Sequence, residues 1–375
     1  MKNITIMIKP ASSLCDMRCT YCFYYDVAAS RHVASMGMMK QDTAAALIHN
    51  VYSGLAAGDH ITFAFQGGEP GLAGLEFYEF FTKTAKDVSP RGVRTMYAFQ
   101  TNGLMVNSAW CEFFVRHNFL VGLSLDGDAT LHNQNRADAH GKGTFNRVMD
   151  AKRLMDRHNV QYNILCVLTS ESARRARRIW NFIIKEGIKY IQFIPCLEPL
   201  EMPAKDNAPP VGTQTALTSK RFGQFYSELF PLWKAEAEKG NLVHVRYFED
   251  IAGLYLAGQG LTCGMSGRCS PQIVVEADGG VYPCDFYVLD EYRVANLAES
   301  PLEEVYIAVA TSGFLNQGHA KCAPCGNCEY NKWCQGGCKR MSKAVYGSGC
   351  GMKSFLDKYL SDLLGVAQKL MHRKR

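Results

Sequence analysis

Cys15-Asp-Met-Arg-Cys19-Thr-Tyr-Cys22 sets three thiols at C-x3-C-x2-C spacing just after an apolar N-terminal stretch. Three thiolates this close in sequence can hold three corners of one metal cluster, and no fourth cysteine stands nearby. A cubane that only carries electrons takes four protein ligands, so a local set of three implies one iron left open for chemistry. The competing readings are a zinc knuckle and incidental core cysteines. Zinc sites normally complete themselves with a fourth Cys or His at short spacing, and the next candidate, His32, lies ten residues past Cys22.

Outward from this loop the chain alternates apolar and amphipathic segments. Residues 1–8 read as a strand broken by Lys9-Pro10, and further strands are expected at 61–65, 94–99, 120–124, 162–168 and 190–195. Helical periodicity occupies 41–55, 75–85, 108–117, 144–158 and 171–186. Such alternation predicts an α/β fold with a parallel sheet, either doubly wound or a complete or partial barrel. Polar and glycine-rich punctuation follows three strands in turn: Gln66-Gly67-Gly68-Glu69-Pro70, Gln100-Thr101-Asn102-Gly103 and Ser124-Leu125-Asp126-Gly127. Each alone is an ordinary turn former. Their recurrence at the carboxyl ends of strands, where these folds keep their active sites, favours a functional reading.

A Pro-, Lys- and Asp-bearing loop at 198–210 breaks the alternation, a long helix is expected at 219–238, and a domain boundary near Gly240. This gives a barrel domain at 1–240, a cysteine-rich domain at 241–352 and a C-terminal helix at 353–375, whose apolar stripe is expected to pack back on the body. With 375 residues, 47% hydrophobic and 20% charged, the chain can bury a large core. Its net charge of +6 is dispersed along the chain, which argues against a nucleic-acid partner. No apolar run reaches membrane-spanning length and no signal peptide is visible, so the expectation is a cytoplasmic protein whose 15 cysteines are reduced metal ligands.

The second cysteine field holds Cys263, Cys269, Cys284, Cys322, Cys325, Cys328, Cys334, Cys338 and Cys350. Its centre, from Cys325 to Cys338, reads C-x2-C-x5-C-x3-C. Two zinc sites or two further iron-sulfur clusters would use these thiols equally well, and spacing alone does not separate the metals.

The cysteine loop with Tyr21 before its third thiol, together with Gly67-Gly68-Glu69-Pro70, resembles the radical S-adenosylmethionine (SAM) superfamily, and 263–350 is similar to its SPASM extension. Cys22-Phe-Tyr-Tyr25, Phe65-Gln-Gly-Gly-Glu-Pro70, Arg246-Tyr-Phe248 and Tyr282-Pro-Cys-Asp-Phe-Tyr287 resemble the anaerobic sulfatase-maturating enzymes. The resemblance implies a partial (β/α)6 TIM-like barrel followed by a twin-cluster domain, with SAM and three 4Fe-4S clusters as cofactors. It makes Cys15, Cys19 and Cys22 ligands of the first cluster. Cys263, Cys269, Cys284 and Cys338 would hold one auxiliary cluster, and Cys325, Cys328, Cys334 and Cys350 the other. Cys322-x2-Cys325-x2-Cys328 offers a competing register for that last set. Gly67, Gly68 and Glu69 are expected at the SAM amino group, and Gln66, Gln100, Asn102 and Ser124 around cofactor and substrate. Arg136 is expected at the SAM carboxylate. Cys111 and Cys166 are expected in the core, and Cys196, on the active-site face, is read as buried packing.

Removing a hydrogen atom from an unactivated carbon is beyond any acidic or basic side chain, so a cofactor radical must supply that step. The resemblance implies a 5'-deoxyadenosyl radical acting on the β-carbon of a Cys or Ser in an unfolded or peptide-like sulfatase, giving Cα-formylglycine. Asp285, beside Cys284, is the expected base for the remaining proton, with Tyr24 positioning it. A flavodoxin or ferredoxin is the implied electron donor. The alternatives are another SPASM peptide maturase, such as one forming thioether crosslinks, and a non-catalytic iron-sulfur carrier or zinc scaffold.

Overall fold

The computed structural model describes residues 1–200, 215–258, 262–265, 267–317, 325–347 and 349–373. Strands β1 (Asn3–Ile8), β2 (His60–Phe65), β3 (Arg94–Thr101), β4 (Phe119–Ser124), β5 (Gln161–Leu168) and β6 (Tyr190–Pro195) lie parallel and in sequential order. Sequential order is the winding of a barrel; a doubly wound sheet reverses direction at a switch point. The barrel is open, because β6 pairs on its far side with β7 (His244–Val245) and β1 with β8 (Ile273–Val275). From β8 the sheet continues antiparallel through β9 (Gly280–Tyr282) and β10 (Ala295–Asn296). The strand leading into the first cysteine loop is therefore also the strand on which the second cysteine field is anchored. Backbone pairing crosses the boundary expected near Gly240, since β7 lies beyond it and still belongs to the barrel edge.

The connecting helices are α1 (Phe23–Ala29), α2 (Gln41–Ser53), α3 (Leu75–Val88), α4 (Ser108–Arg116), α5 (Ala129–Asn135), α6 (Phe145–His158), α7 (Ala176–Lys185), α8 (Ser219–Glu238) and α9 (Arg246–Ala257). The pattern expected at 171–186 divides into a 3-10 turn at Ser172–Arg175 and α7, while α1, α5 and α9 were not anticipated. Helix α3 shows why the outer layer forms. Tyr78 and Phe81 project from one face and meet Phe65 of β2 edge-on, each with ring centroids 5.0 Å away. Burial of each such ring contributes about 1.5–3 kcal/mol. The C-terminal helix, Gly351–Arg373, packs back on α8 and α9 as expected, with Phe355 fully buried beside Phe230 and Phe248. No described helix is long and apolar enough to cross a membrane.

Inside the barrel the side chains are smaller. Register pairs Met7 with Ala64, Ala64 with Ala98, and Gln100 with Gly122. Alternation along each strand then puts Met7, Ala64, Gln66, Ala98 and Gln100 on the inner face, while Ile61, Phe63 and Phe65 face the helices. Small residues at these inner positions leave space that the bulky layers of a filled barrel would occupy.

Candidate active site

The two motif loops that follow β1 and β2 hold each other backbone to backbone. Gly68 N donates to Ser12 O at 2.9 Å and Glu69 N to Leu14 O at 2.7 Å. A Cβ on Gly68 would lie 2.0 Å from Leu14 O, and one on Gly67, where φ is 121°, would lie 2.8 Å from Ser12 O. Neither position accepts a side chain without moving the cysteine loop. On its other flank that loop is tied to the end of α5: Thr20 N donates to Asn135 O at 3.0 Å, and Arg18 N to Ala137 O at 2.8 Å.

Cys15, Cys19 and Cys22 border one cavity together with Gly67, Gly68, Glu69, Gln100, Asn102, Ser124 and Arg136. Gln66 borders the adjoining cavity, which shares Gln100, Tyr24 and Phe286 with the first. Burial pushes the Glu69 carboxyl up to about 7, against the pull of three donors: Asn102 N at 2.8 Å, Gly71 N at 3.0 Å and Thr101 Oγ1 at 2.9 Å. Three donors leave one of four lone-pair directions for a ligand cation. Asn102 has its amide engaged internally, donating to Asp16 Oδ1 at 2.7 Å and accepting from Leu104 N at 2.9 Å, so it shapes the loop next to Cys15.

Arg136 lies at this cavity but is already paired. Its Nε and Nη2 donate to Asp126 at 3.0 and 3.3 Å, and the Tyr21 hydroxyl donates to the same carboxylate. Asp126 also accepts from Val167 N at 2.9 Å. This buried cluster of Tyr21, Asp126 and Arg136 braces the cysteine loop against β5, a role not read from the sequence even though Asp126 lies within the third punctuation motif. Two of the five Arg136 N–H groups are used on Asp126, and the guanidinium also bonds Cys19.

The thiols suit clusters better than a single ion. Burial first, and then the neighbouring Glu69, Cys19 and Asp16 charges, push Cys15 up to about 12 against the Met17 N–H. Burial with the Cys22 and Asp126 charges pushes Cys19 up to about 11 against Arg136, so a bound metal's positive charge would favour the thiolate forms. Among the described residues no three His, Cys, Asp or Glu side chains gather closely enough for one metal ion. Zinc needs its ligands about 2.3 Å from a common centre. Instead, the thiols surround cavities. Cys263, Cys269, Cys284 and Cys338 border the one that contains Asp285, and Cys325, Cys328, Cys334 and Cys350 border another beneath the C-terminal helix, although Cys325, expected as a ligand, is joined in a disulfide here and is not a free thiol. Cys322 lies outside the described residues. Cys111 and Cys166 are buried in α4 and β5, as expected; Cys196 is buried as well but also borders the first cavity, with Sγ 3.9 Å from Thr215 Oγ1.

Asp285 borders the auxiliary cavity, next to Tyr24, which borders both cavities. Its Oδ2 accepts from the Tyr24 hydroxyl at 2.8 Å, and its Oδ1 lies 2.8 Å from Lys9 Nζ. Lys9 Nζ also stands 3.9 Å from the centre of the Tyr24 ring. The sequence reading took Lys9 only as a strand breaker. Its position directly after β1, at the carboxyl end where the glycine motifs follow their own strands, was the available signal.

Residues 10–182 match the model of the radical SAM superfamily, and 263–329 that of an iron-sulfur cluster-binding domain, SPASM. Over its full length the chain is 38% identical to the cysteine-type anaerobic sulfatase-maturating enzyme of Clostridium novyi, covering all of that protein. The chain belongs to the anaerobic sulfatase-maturating enzymes. Its identity to the serine-type anaerobic sulfatase-maturating enzyme of Klebsiella aerogenes is 30%, over 89% of this chain and 79% of that one. Among solved structures it is similar to native anSMEcpe with bound AdoMet and the Kp18Cys peptide, at 35% identity and a TM-score of 0.87, covering 98% of this chain and 99% of that one. SuiB of Streptococcus suis bound to its precursor peptide shares the fold, at 15% identity and a TM-score of 0.61 over 90% of this chain and 72% of that one. As a sulfatase-maturating enzyme the chain uses SAM and 4Fe-4S clusters. The residues present fit them: a three-thiol loop without a fourth ligand, a glycine cradle that a Cβ would fill, and a buried carboxylate with one open direction.

Proposed function

We propose that this chain oxidises a cysteine in a sulfatase polypeptide to Cα-formylglycine. The observation that supports the reading is the Tyr24–Asp285 hydrogen bond, since Tyr24 borders both the three-thiol cavity and the auxiliary cavity that Asp285 lines. Cysteine is favoured over serine as the target because identity to the cysteine-type relative, 38%, exceeds the 30% to the serine-type one.

Bound at Cys15, Cys19 and Cys22, the cluster and SAM supply the radical that takes a hydrogen atom from the substrate β-carbon. The oxidation is completed by loss of one electron and one proton, and water then replaces the sulfur, released as hydrogen sulfide. Glu69 holds the SAM ammonium, while Gln66, Gln100 and Ser124 orient cofactor and substrate. Arg136 meets the SAM carboxylate with its remaining donors. Asp285 receives the thiol proton, held in place by Tyr24. Cys263, Cys269, Cys284 and Cys338 would hold the group that accepts the electron, so proton and electron leave from the same place. Cys325, Cys328, Cys334 and Cys350 would hold a second such group. A flavodoxin- or ferredoxin-type protein supplies the reducing electron, and a reducing, cytoplasmic setting belongs to the same reading.

Anaerobic incubation with SAM and paired Cys-type and Ser-type sulfatase peptides, with mass spectrometry of peptide and 5'-deoxyadenosine, tests this. Formylglycine is expected from the Cys peptide in excess over the Ser peptide. Cleavage of SAM with neither peptide oxidised would count against it.

A further inference from the structure

Lys9 is 2% exposed, among the largest fully buried side chains, and belongs to neither cysteine field nor glycine motif. It meets β8, the entrance to the cysteine loop, the glycine loop and the Tyr24–Asp285 pair. Its backbone N donates to Val275 O at 2.8 Å, fastening β1 to the auxiliary strand β8, and its carbonyl accepts from Ser12 N at 3.0 Å at the entrance to the cysteine loop. Its stem lies under the glycine loop: a Cβ on Gly67 would be 3.2 Å from both Lys9 Cβ and Cγ. Its ammonium reaches Asp285 Oδ1 at 2.8 Å and the face of Tyr24 at 3.9 Å.

A buried ammonium needs a paired charge and loses stability without one, so Lys9 and Asp285 fix each other. Tyr24 alone fixes only one carboxylate oxygen, about which the group can still swing. Lys9 supplies the second point as an ion-pair contact to Oδ1, a buried oxygen that accepts no aligned hydrogen bond, and its own stem lies against the loop that carries Gly67 and Glu69. We infer that Lys9 is a positioning residue that registers the Asp285 carboxylate against the cofactor loop, so that hydrogen abstraction and proton removal act on the same substrate residue. This rests on the proposed function for its chemistry, but the ion pair itself does not.

The test reads formylglycine formed per 5'-deoxyadenosine in the anaerobic holoenzyme with SAM and a Cys-type sulfatase peptide. Lys9→Met lowers that ratio tenfold or more, whereas a residue that merely supports the fold would lower both products together. Lys9→Arg, which keeps the cation, recovers part of the ratio. On an Asp285→Asn background, Lys9→Met changes it less than twofold. If Lys9→Met does not load its clusters, Lys9→Gln, which keeps a hydrogen-bonding end, takes its place with the same outcomes. A ratio equal to wild type in the uncharged variant, or the full factor lost again on the Asp285→Asn background, overturns the inference. Thermal unfolding gives a readout that does not depend on the reaction: the Tm losses of Lys9→Met and Asp285→Asn are expected to sum to more than the loss in the double variant. Additive Tm losses overturn the coupling even if no sulfatase peptide is oxidised, an outcome that would separately count against the proposed function.

Discussion

Tyr24 donates to Asp285 at 2.8 Å across 261 positions of sequence, joining the helix that follows the first cysteine loop to the turn that follows Cys284. Burial, and then the Asp285 charge, raise the Tyr24 phenol well above its ordinary range, so it remains a donor at neutral pH. Tyr24→Phe removes one of the two contacts that orient the carboxylate. A hydrogen bond to a charged group is worth roughly 1.5–3 kcal/mol, which corresponds to a loss of about ten- to a hundredfold in formylglycine formation if it is realised in the rate-limiting step. Single-turnover assays with a Cys-type peptide measure this, and an unchanged rate would show that Tyr24 is only a wall.

At Gly68 the cysteine loop and the loop after β2 meet with no room for a side chain. With Leu14 O at 2.0 Å from any added Cβ, Gly68→Ala must push the cysteine loop off the loop that follows β2. The expected result is loss of the cluster at Cys15, Cys19 and Cys22 and of SAM cleavage, with the auxiliary sets retained. Iron and sulfide analysis with electron paramagnetic resonance would distinguish this from general unfolding, which would empty all three sets.

Glu69 predicts opposite pH trends for stability and for cofactor binding. Its carboxyl is raised by burial from 4.5 to about 7 in the folded state. Between those values the fold keeps a proton that the unfolded chain has released. Its contribution to stability is therefore fully present below 4.5 and is lost as pH rises through 7, by about 3 kcal/mol at most. SAM carries an ammonium that pairs with the ionised form, so its affinity is expected to rise as pH increases through 7. Glu69→Gln should weaken binding and flatten that dependence. Binding isotherms between pH 6 and pH 8 check the slope, and a wild-type affinity independent of pH would contradict the assignment.

The barrel was legible because its strands are apolar runs of six to eight residues separated by amphipathic helices; β6 begins and ends where the sequence places it. Strands β7 to β10 have two or three residues each, too few for a period to show. Helix α5 was missed although Asp128 caps it, accepting from Thr130 N and Leu131 N, because seven residues carry little periodic signal. In the site, the three-cysteine loop and the glycine loop could be read from local spacing, whereas the division of the second cysteine field into two sets came only from the family resemblance. The pairing of Arg136 with Asp126 and of Lys9 with Asp285 could not. The first spans only ten positions but depends on the turn of α5, which periodicity does not reveal; the second exists only once β1 and the auxiliary strands share one sheet, and a lysine next to a proline carries no sign of the carboxylate it will meet.

On the proposed function, radical formation and the completion of the oxidation are divided between the Cys15–Cys22 loop and Asp285. Asp285→Asn tests it most directly, in anaerobic reactions that quantify 5'-deoxyadenosine and formylglycine together from a Cys-type sulfatase peptide. The account predicts a variant that keeps its clusters and still cleaves SAM but yields little formylglycine. Formylglycine formed at the wild-type rate would contradict it.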